Sequence, residues 1–453
     1  MSNNKTDSTV ADILKIFEIA DRFRNSKDHE EGHILDRFFI LNPTVNNAYG
    51  NIIIGARGFE ILNDIATRHT PPSLKNKISI SHLSDLFRQN IFSSFVIRGV
   101  EINRKNTQSI IDNSVSGLLK KESIMIHFIP FNFFSNFIGN KFTYGELTIH
   151  SMSEFEFANE IQSNGESCQN YYSQFNAIAE ISISGIDHDV TLYKAKRILD
   201  SFLGICRLIP GASSLPLTTR PNASHNILTF ALSSTNRNEL NFSKNMRFVN
   251  LKLENWNHIL LETKDTFFDI MKLVLSKNID GNCNNLANRV IDGLITFQNA
   301  LDENDVHFRL VRLISVVERL YSTKTTDEVT WLCSHCKTEN KTQSYTINKR
   351  IKQRGMDLLK ILDDNLVGTI KKLETYYGLR SNIVHGSLSL IADDLPKDTH
   401  ELEVIVSNLI IASAFLYYKN GIFELTDDHG LDELFIKLKE HHEKNKFIAP
   451  HST

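Results

Sequence analysis

An arginine and a histidine five residues apart are the side chains best suited to chemistry in this sequence. Arg380 and His385 lie in the segment Tyr-Gly-Leu-Arg-Ser-Asn-Ile-Val-His-Gly at residues 377–386, where Gly386 is placed to end a helix. Five residues span roughly 7.5 Å along a helix axis. A histidine exchanges protons near neutral pH, and an arginine neutralises the oxygens of a phosphate. The pair therefore suits acid–base chemistry on a phosphate ester.

Arg380 falls on the apolar face of its predicted helix, three positions after Tyr377. A charged group on a packing face requires an anion or a carboxylate partner. Glu318, on an earlier predicted helix, is a candidate for that partner. A structural interpretation stays open, in which Arg380 only pairs with Glu318 and His385 only interacts with the dipole of the helix end.

The pattern Arg-x-x-x-x-His at a helix end, preceded by Tyr-x-x and followed by Gly, resembles the signature of HEPN domains. The name stands for higher eukaryote and prokaryote nucleotide-binding, and the segment is most similar to the Apea-like HEPN group of prokaryotic anti-phage proteins. Val-Val-Glu-Arg-Leu-Tyr at residues 316–321 resembles the same group, in which an acidic residue recurs at the position of Glu318. The resemblance covers roughly residues 304–419, about a quarter of the chain.

The resemblance implies a metal-independent endoribonuclease that acts as a homodimer in anti-phage defence or in a toxin-like role. His385 would move protons during attack by the RNA 2′-hydroxyl, and Arg380 would stabilise the charge on the phosphate. No cofactor is needed for this reaction, which leaves a 2′,3′-cyclic phosphate and a 5′-hydroxyl. Asn382 could add a donor to the phosphate and Glu318 could orient Arg380, although structural roles are favoured for these two residues and for Tyr377.

Two readings without catalysis stay open. In the first, the helices form an RNA- or nucleotide-binding module whose Arg380 and His385 hold a phosphate without cleaving it. In the second, the helical bundle is a dimerisation scaffold. The N-terminal two-thirds carries no Gly-rich phosphate loop, His-Glu-x-x-His or Gly-x-Ser-x-Gly motif, and we expect it to bind an unknown trigger or to hold the nuclease inactive.

Composition and charge predict a cytoplasmic globular protein. Hydrophobic residues make up 41% and charged residues 23%, and the polar N-terminus has no signal-peptide core. The apolar run at residues 404–418 is shorter than a membrane span, so we expect a buried helix and no membrane association. The formal net charge is −3, so an RNA surface must be local. Residues 341–380 hold nine basic and four acidic residues, but a solvated helix face explains this stretch at least as well as an RNA track.

We predict an α+β fold class, with a mixed α/β N-terminal region followed by an all-α, HEPN-like helical bundle. The predicted regions are an α+β region at 1–170, a second α+β unit at 171–285, and the bundle at 286–453 with an insert at 322–346. Apolar residues at three- and four-residue spacing indicate the bundle helices, as in Leu310, Leu313, Ile314 and Val317.

Strands are predicted where β-branched and aromatic residues cluster between Gly, Asn and Ser. These runs are residues 51–54, 95–97, 124–129, 179–185, 226–232 and 248–253. Helices are predicted over residues 10–24, from Leu192 until Pro210 ends the apolar stripe, and over residues 266–275.

The insert contains Trp-Leu-Cys-Ser-His-Cys, with Cys333 and Cys336 at the spacing of two zinc ligands. The spacing resembles the first half of a zinc-ribbon or Ran-binding-type zinc finger knuckle, and no cysteine follows Cys336. Structural zinc takes four ligands, so three outcomes stay open: free thiols, recruitment of a residue such as His335, Cys283 or His307, or a site shared between two protomers. In each outcome we expect a structural role, with zinc absent from catalysis.

Overall fold

The computed structural model describes residues 2–25, 54–133, 141–155, 163, 165–209, 217–220, 227–233, 241–247, 267–277, 285–323, 327–332, 338–344, 347–362, 369–386, 399–423, 425 and 428–444. The chain forms two compact units, which consist of Met1–Ile126 with Ser182–Lys194, and of His127–Ile181 with Ala195–Thr453. The predicted α+β class with a helical C-terminal part is confirmed. The division into regions 1–170, 171–285 and 286–453 stays a prediction.

The first unit is built mainly from helices that pack their apolar faces together. Its long helices are α1 (Ser2–Asn25), α2 (Gly55–His69), α3 (Ile80–Ile91) and α4 (Arg104–Val115). Ser79 begins α3, since its side chain accepts a hydrogen bond from the backbone N–H of His82. Fully buried side chains such as Ile16, Leu62 and Phe87 form the core. The helix predicted over residues 10–24 is confirmed.

The strand predicted at residues 95–97 is wrong, because this segment lies in a π-helical turn at Phe92–Ile97 that continues α3. Leu83, Phe87, Ile91 and Phe95 recur every four residues and are all buried. A four-residue period is typical of a helix, and here it outweighs the strand propensity of the β-branched residues Val96 and Ile97. The first three residues of the run predicted as a strand at residues 51–54 lie outside the described residues.

A four-stranded sheet has the order β1–β4–β3–β2, with β1 at Ser123–Phe131, β2 at Phe142–Tyr144, β3 at Leu147–Ser151 and β4 at Ala177–Gly185. The pairs β2–β3 and β3–β4 are antiparallel. The strands predicted at residues 124–129 and 179–185 are confirmed. A short helix, α5 (Glu166–Tyr172), precedes β4, and α6 (His188–Arg207) follows it. The side chain of Asp187 caps α6 by accepting a hydrogen bond from the backbone N–H of Asp189 at 2.8 Å.

Two antiparallel hairpins lie outside the sheet. The first pairs β5 (Ile227–Ser233) with β6 (Asn241–Arg247), which confirms the strand predicted at residues 226–232. The strand predicted at residues 248–253 lies outside the described residues. The second hairpin pairs β7 (Asp327–Leu332) with β8 (Glu339–Ser344) within the polar insert.

The C-terminal part is a bundle of long helices. They are α7 (Phe267–Lys277), α8 (Leu286–Leu301), α9 (Val306–Tyr321), α10 (Ile347–Leu362), α11 (Ile370–Val384), α12 (His400–Lys419) and α13 (Asp428–Lys444). Helix α12 contacts α7 through α11 and buries side chains such as Leu409 and Leu416. It is long and apolar enough to cross a membrane by length and composition, unlike the shorter run expected from the sequence. Its buried residues make it the central helix of this bundle.

Candidate functional site

Helix α11 ends where the sequence places its glycine. His385 is the C-terminal cap, and its backbone N–H donates to the carbonyl of Ser381 at 3.0 Å. Gly386 follows with φ of 68°, the left-handed conformation that terminates helices, and its N–H donates to the carbonyl of Ile383 at 3.2 Å. The His385 side chain is exposed at this end, where solvent or a ligand can reach it.

Helix α11 is attached to the bundle mainly by polar contacts. Among its described side chains only Leu373 is buried. Glu374 accepts a hydrogen bond from Lys352 of α10 at 2.7 Å. Glu401 of α12 accepts one from the hydroxyl of Tyr376 at 3.3 Å and also pairs with Lys372. The outer face of α11 therefore stays open along its length.

Arg380 reaches the neighbouring helix α9 and pairs with Glu318. Its Nη2 donates to Oε2 of Glu318 at 3.0 Å, and both side chains are roughly three-quarters buried. Tyr377 lies at the same place, with the Arg380 guanidinium 6.0 Å from the centre of its ring. Burial raises the pKa of Tyr377, and the charge of Glu318 and a hydrogen bond to it raise this pKa further. Arg380, Glu318 and Tyr377 thus form one cluster.

The Nε atom of Arg380 is buried and has no hydrogen-bond partner among the described residues. A buried donor without a partner carries a free-energy cost of about 1–3 kcal/mol. An anion bound beside Arg380 would satisfy donors that Glu318 leaves unused. Arg380 is therefore held in place by Glu318 and keeps a buried donor that Glu318 does not satisfy.

The position of Glu318 is fixed by the end of α9. Two buried arginines donate to the last carbonyls of this helix: Arg289 binds the carbonyl of Ser322 at 2.7 Å, and Arg354 binds that of Tyr321. These bonds satisfy groups that have no partner within a helix and anchor its last turn. Sequence reasoning missed both arginines, because their partners are backbone carbonyls that leave no residue pattern.

The structure brings together some of the residues that the sequence singled out. Glu318, Tyr377 and Arg380 are in contact, and Asn382 and His385 are exposed on the last turn of the same helix. Cys333 and Cys336 lie outside the described residues. Within the described ranges, no group of three or more His, Cys, Asp or Glu side chains is arranged to hold a metal ion.

Several cations of the basic stretch at residues 341–380 are committed to internal partners. Lys352 and Lys372 pair with glutamates of neighbouring helices, as described above. Arg354 is buried and also pairs with Asp432 of α13. These three cations bind neighbouring helices of the bundle, an arrangement that neither the solvated helix face nor the RNA track anticipated. Comparison with protein-family models, with curated proteins and with solved structures gives no match to this chain.

Proposed function

We propose that this chain is a HEPN-type, metal-independent endoribonuclease with Arg380 and His385 as its catalytic residues. The observation that carries the proposal is the arginine itself: Arg380 is held by Glu318 at 3.0 Å and keeps an unsatisfied buried Nε, on the helix that ends at an exposed His385. A cation oriented in this way stabilises a phosphate better than a mobile one.

The reaction uses the nucleophile that RNA already carries. The 2′-oxygen attacks phosphorus while His385 accepts its proton, and the bond between phosphorus and the 5′-oxygen breaks. The departing 5′-oxygen receives a proton from a second histidine. Arg380 stabilises the charge on the non-bridging oxygens, and Asn382 can donate to one of them. The products are a 2′,3′-cyclic phosphate and a 5′-hydroxyl.

A homodimer supplies the second histidine. One Arg-His pair offers too few groups to hold the phosphate and to serve both proton transfers, so two α11 ends would meet across a two-fold axis. Val384, next to His385, is 51% exposed and offers an apolar contact at this end. The protein would act in the cytoplasm, without a membrane, in defence or in a toxin-like role, with a trigger bound by the N-terminal region.

Cys333 and Cys336 fit a structural zinc site better than a catalytic one, since the reaction needs no metal. A zinc measurement on protein purified without added metal distinguishes the outcomes. One zinc per dimer, lost in Cys333→Ser, supports a site shared between protomers, and one zinc per chain supports recruitment of other ligands. If no zinc is bound, the measurement supports the outcome in which Cys333 and Cys336 are free thiols.

The nature of the RNA ends tests the proposed function. Purified protein is incubated with RNA in the presence of EDTA, and the ends of the products are analysed. Cleavage that survives EDTA and leaves cyclic phosphate ends supports the proposal. RNA binding without cleavage supports the alternative, a helical module that binds RNA or nucleotides.

A further inference from the structure

The exposed face of α9 carries a strip of arginines next to the candidate site. With 3.6 residues per turn, Phe308, Arg312, Ser315 and Arg319 share one face of this helix. The opposite face carries the buried residues of α9, which include Leu310, Leu313, Val317 and Leu320. Glu318, which holds Arg380, borders the strip on the side of α11. The strip therefore begins beside the proposed catalytic arginine.

The carboxylate of Asp292 binds Arg319 of the strip and also Arg197 of α6. Asp292, on α8, accepts from Nη2 of Arg197 at 2.8 Å through Oδ1. Its Oδ2 accepts from Nε of Arg319 at 2.8 Å and also from Nη2. Arg319 is thus held by one edge of its guanidinium, and its Nη1 has no partner among the described residues. Its side chain is 40% exposed.

Arg312 lies two turns before Arg319, at roughly 10.5 Å along the helix axis. Its Nη1 donates to the carbonyl of Asn299 at 3.0 Å, and its Nη2 pairs with Glu303 at 3.1 Å. The side chain is 42% exposed. Both terminal nitrogens of Arg312 thus contact the end of α8 and the residues that follow it, while part of the side chain stays exposed.

Three guanidinium groups lie close together here, those of Arg197, Arg312 and Arg319. Asp292 and Glu303 pair with them, and the charge of Asp200 also acts on Arg197. Guanidinium groups held in place lose less entropy when they bind an anion, and their planar donors match phosphate oxygens. Arg312 and Arg319 lie two turns apart on one face of α9, with Arg197 of α6 beside Arg319, and this arrangement suits a ligand with regularly spaced negative charges.

We propose that Arg197, Arg312 and Arg319 bind backbone phosphates of single-stranded RNA next to the cleaved bond. This inference rests on the proposed function, because it takes the cleaved strand at Arg380 as the ligand. Phosphate contacts position a nucleic acid without reading its sequence, so the strip sets how the strand enters the site. Each contact also makes binding depend on salt.

The test measures binding of a fluorescein-labelled, single-stranded RNA by anisotropy at several salt concentrations. The full-length chain carries His385→Ala so that the RNA stays intact. The double variant Arg312→Gln/Arg319→Gln should bind about tenfold more weakly near physiological salt, and its slope of log affinity against log salt should fall by about 1.4. The matching double lysine variant should keep most of that slope, because it keeps both charges.

Arg104→Gln is the matched control, since Arg104 is a half-exposed arginine of the first unit that pairs with Asp7 at 3.6 Å. Its RNA affinity and salt slope should equal those of the parent. The proposal is overturned if the double glutamine variant keeps the salt slope of the parent. It is also overturned if the double lysine variant loses as much of that slope as the double glutamine variant. Failure of the parent to bind RNA also overturns it. RNA cleavage by the wild-type chain is measured separately. Absence of cleavage would contradict the proposed function, whereas the binding data alone decide whether these arginines contact RNA.

Discussion

Arg380 of α11 donates to Glu318 of α9 across 3.0 Å, and this ion pair joins the two helices at the candidate site. The two residues are 62 positions apart in the chain. Two buried arginines anchor the end of α9 that carries Glu318, and Glu318 in turn orients Arg380. A side chain fixed in this way is preorganised, and its misplacement by about 1 Å can lower a rate by about a hundredfold.

Replacing Glu318 with Gln should lower RNA cleavage by about ten- to a hundredfold, because Arg380 loses the charged partner that orients it. The measurement is the cleavage rate at saturating RNA, with circular dichroism to verify folding. Glu374→Gln is the matched control, since Glu374 lies on the same helix as Arg380 and pairs with Lys352. Equal cleavage rates for Glu318→Gln and Glu374→Gln would show that Glu318 does not orient Arg380.

Gly386→Ala should lower the free energy of unfolding by about 1 kcal/mol, since alanine is strained at a φ of 68°. A Cβ at this position would meet no atom within 4 Å, so the cost comes from the backbone alone. Gly378 lies within the same helix and also has open space around it. Gly378→Ala should therefore stabilise the chain by about 0.5–1 kcal/mol. Chemical denaturation measures both, and a stabilising Gly386→Ala would contradict the helix end described here.

Asp200 of α6 should make stability depend on pH. Burial, followed by the charge of Asp302, raises the pKa of Asp200 to about 6, against the opposing charges of Lys196 and Arg197. A raised carboxyl pKa favours the folded state at pH below about 4, and this contribution is lost as the pH rises through about 6. Asp200→Asn should then stabilise the chain by about 1–3 kcal/mol at pH 7 and have little effect near pH 4.

Denaturation of both proteins at several pH values tests this behaviour. The difference between Asp200→Asn and wild type should grow from pH 4 to pH 6 and stay constant above pH 7. A difference that does not vary with pH, or a variant that is less stable at pH 7, would show that the carboxyl group titrates normally.

The local patterns of the sequence predicted the helix end at Gly386 and the strand that contains Ile181 and Ile183, because a cap and a period of two are visible in neighbouring residues. The same reasoning predicted a strand at Phe95 that is wrong. Buried residues recur there every four positions over a segment longer than residues 95–97, and this period makes the segment helical. The contact of Glu318 with Arg380 was expected from burial of a charge. The binding of both Arg197 and Arg319 by Asp292 was not expected, because it requires contact between the three helices that carry these residues.

Val384→Asp should separate the proposed homodimer into monomers and lower cleavage, because it places a charge in the apolar contact beside His385. Ile436→Asp is the control, since Ile436 is an exposed aliphatic residue of α13, outside the helix that carries the site. Sedimentation velocity gives the mass of each variant. A wild-type chain that is monomeric at working concentration and still cleaves RNA would contradict the shared cleft.

The most direct measurement compares RNA cleavage by the wild-type chain, Arg380→Ala and His385→Ala in the presence of EDTA. Both residues lie at a helix end and neither is fully buried, so the variants should fold like the wild type by circular dichroism. We expect the wild type to cut RNA to 2′,3′-cyclic phosphate and 5′-hydroxyl ends, and each folded variant to show no cleavage. Wild-type activity in either variant would contradict the assignment of the catalytic pair.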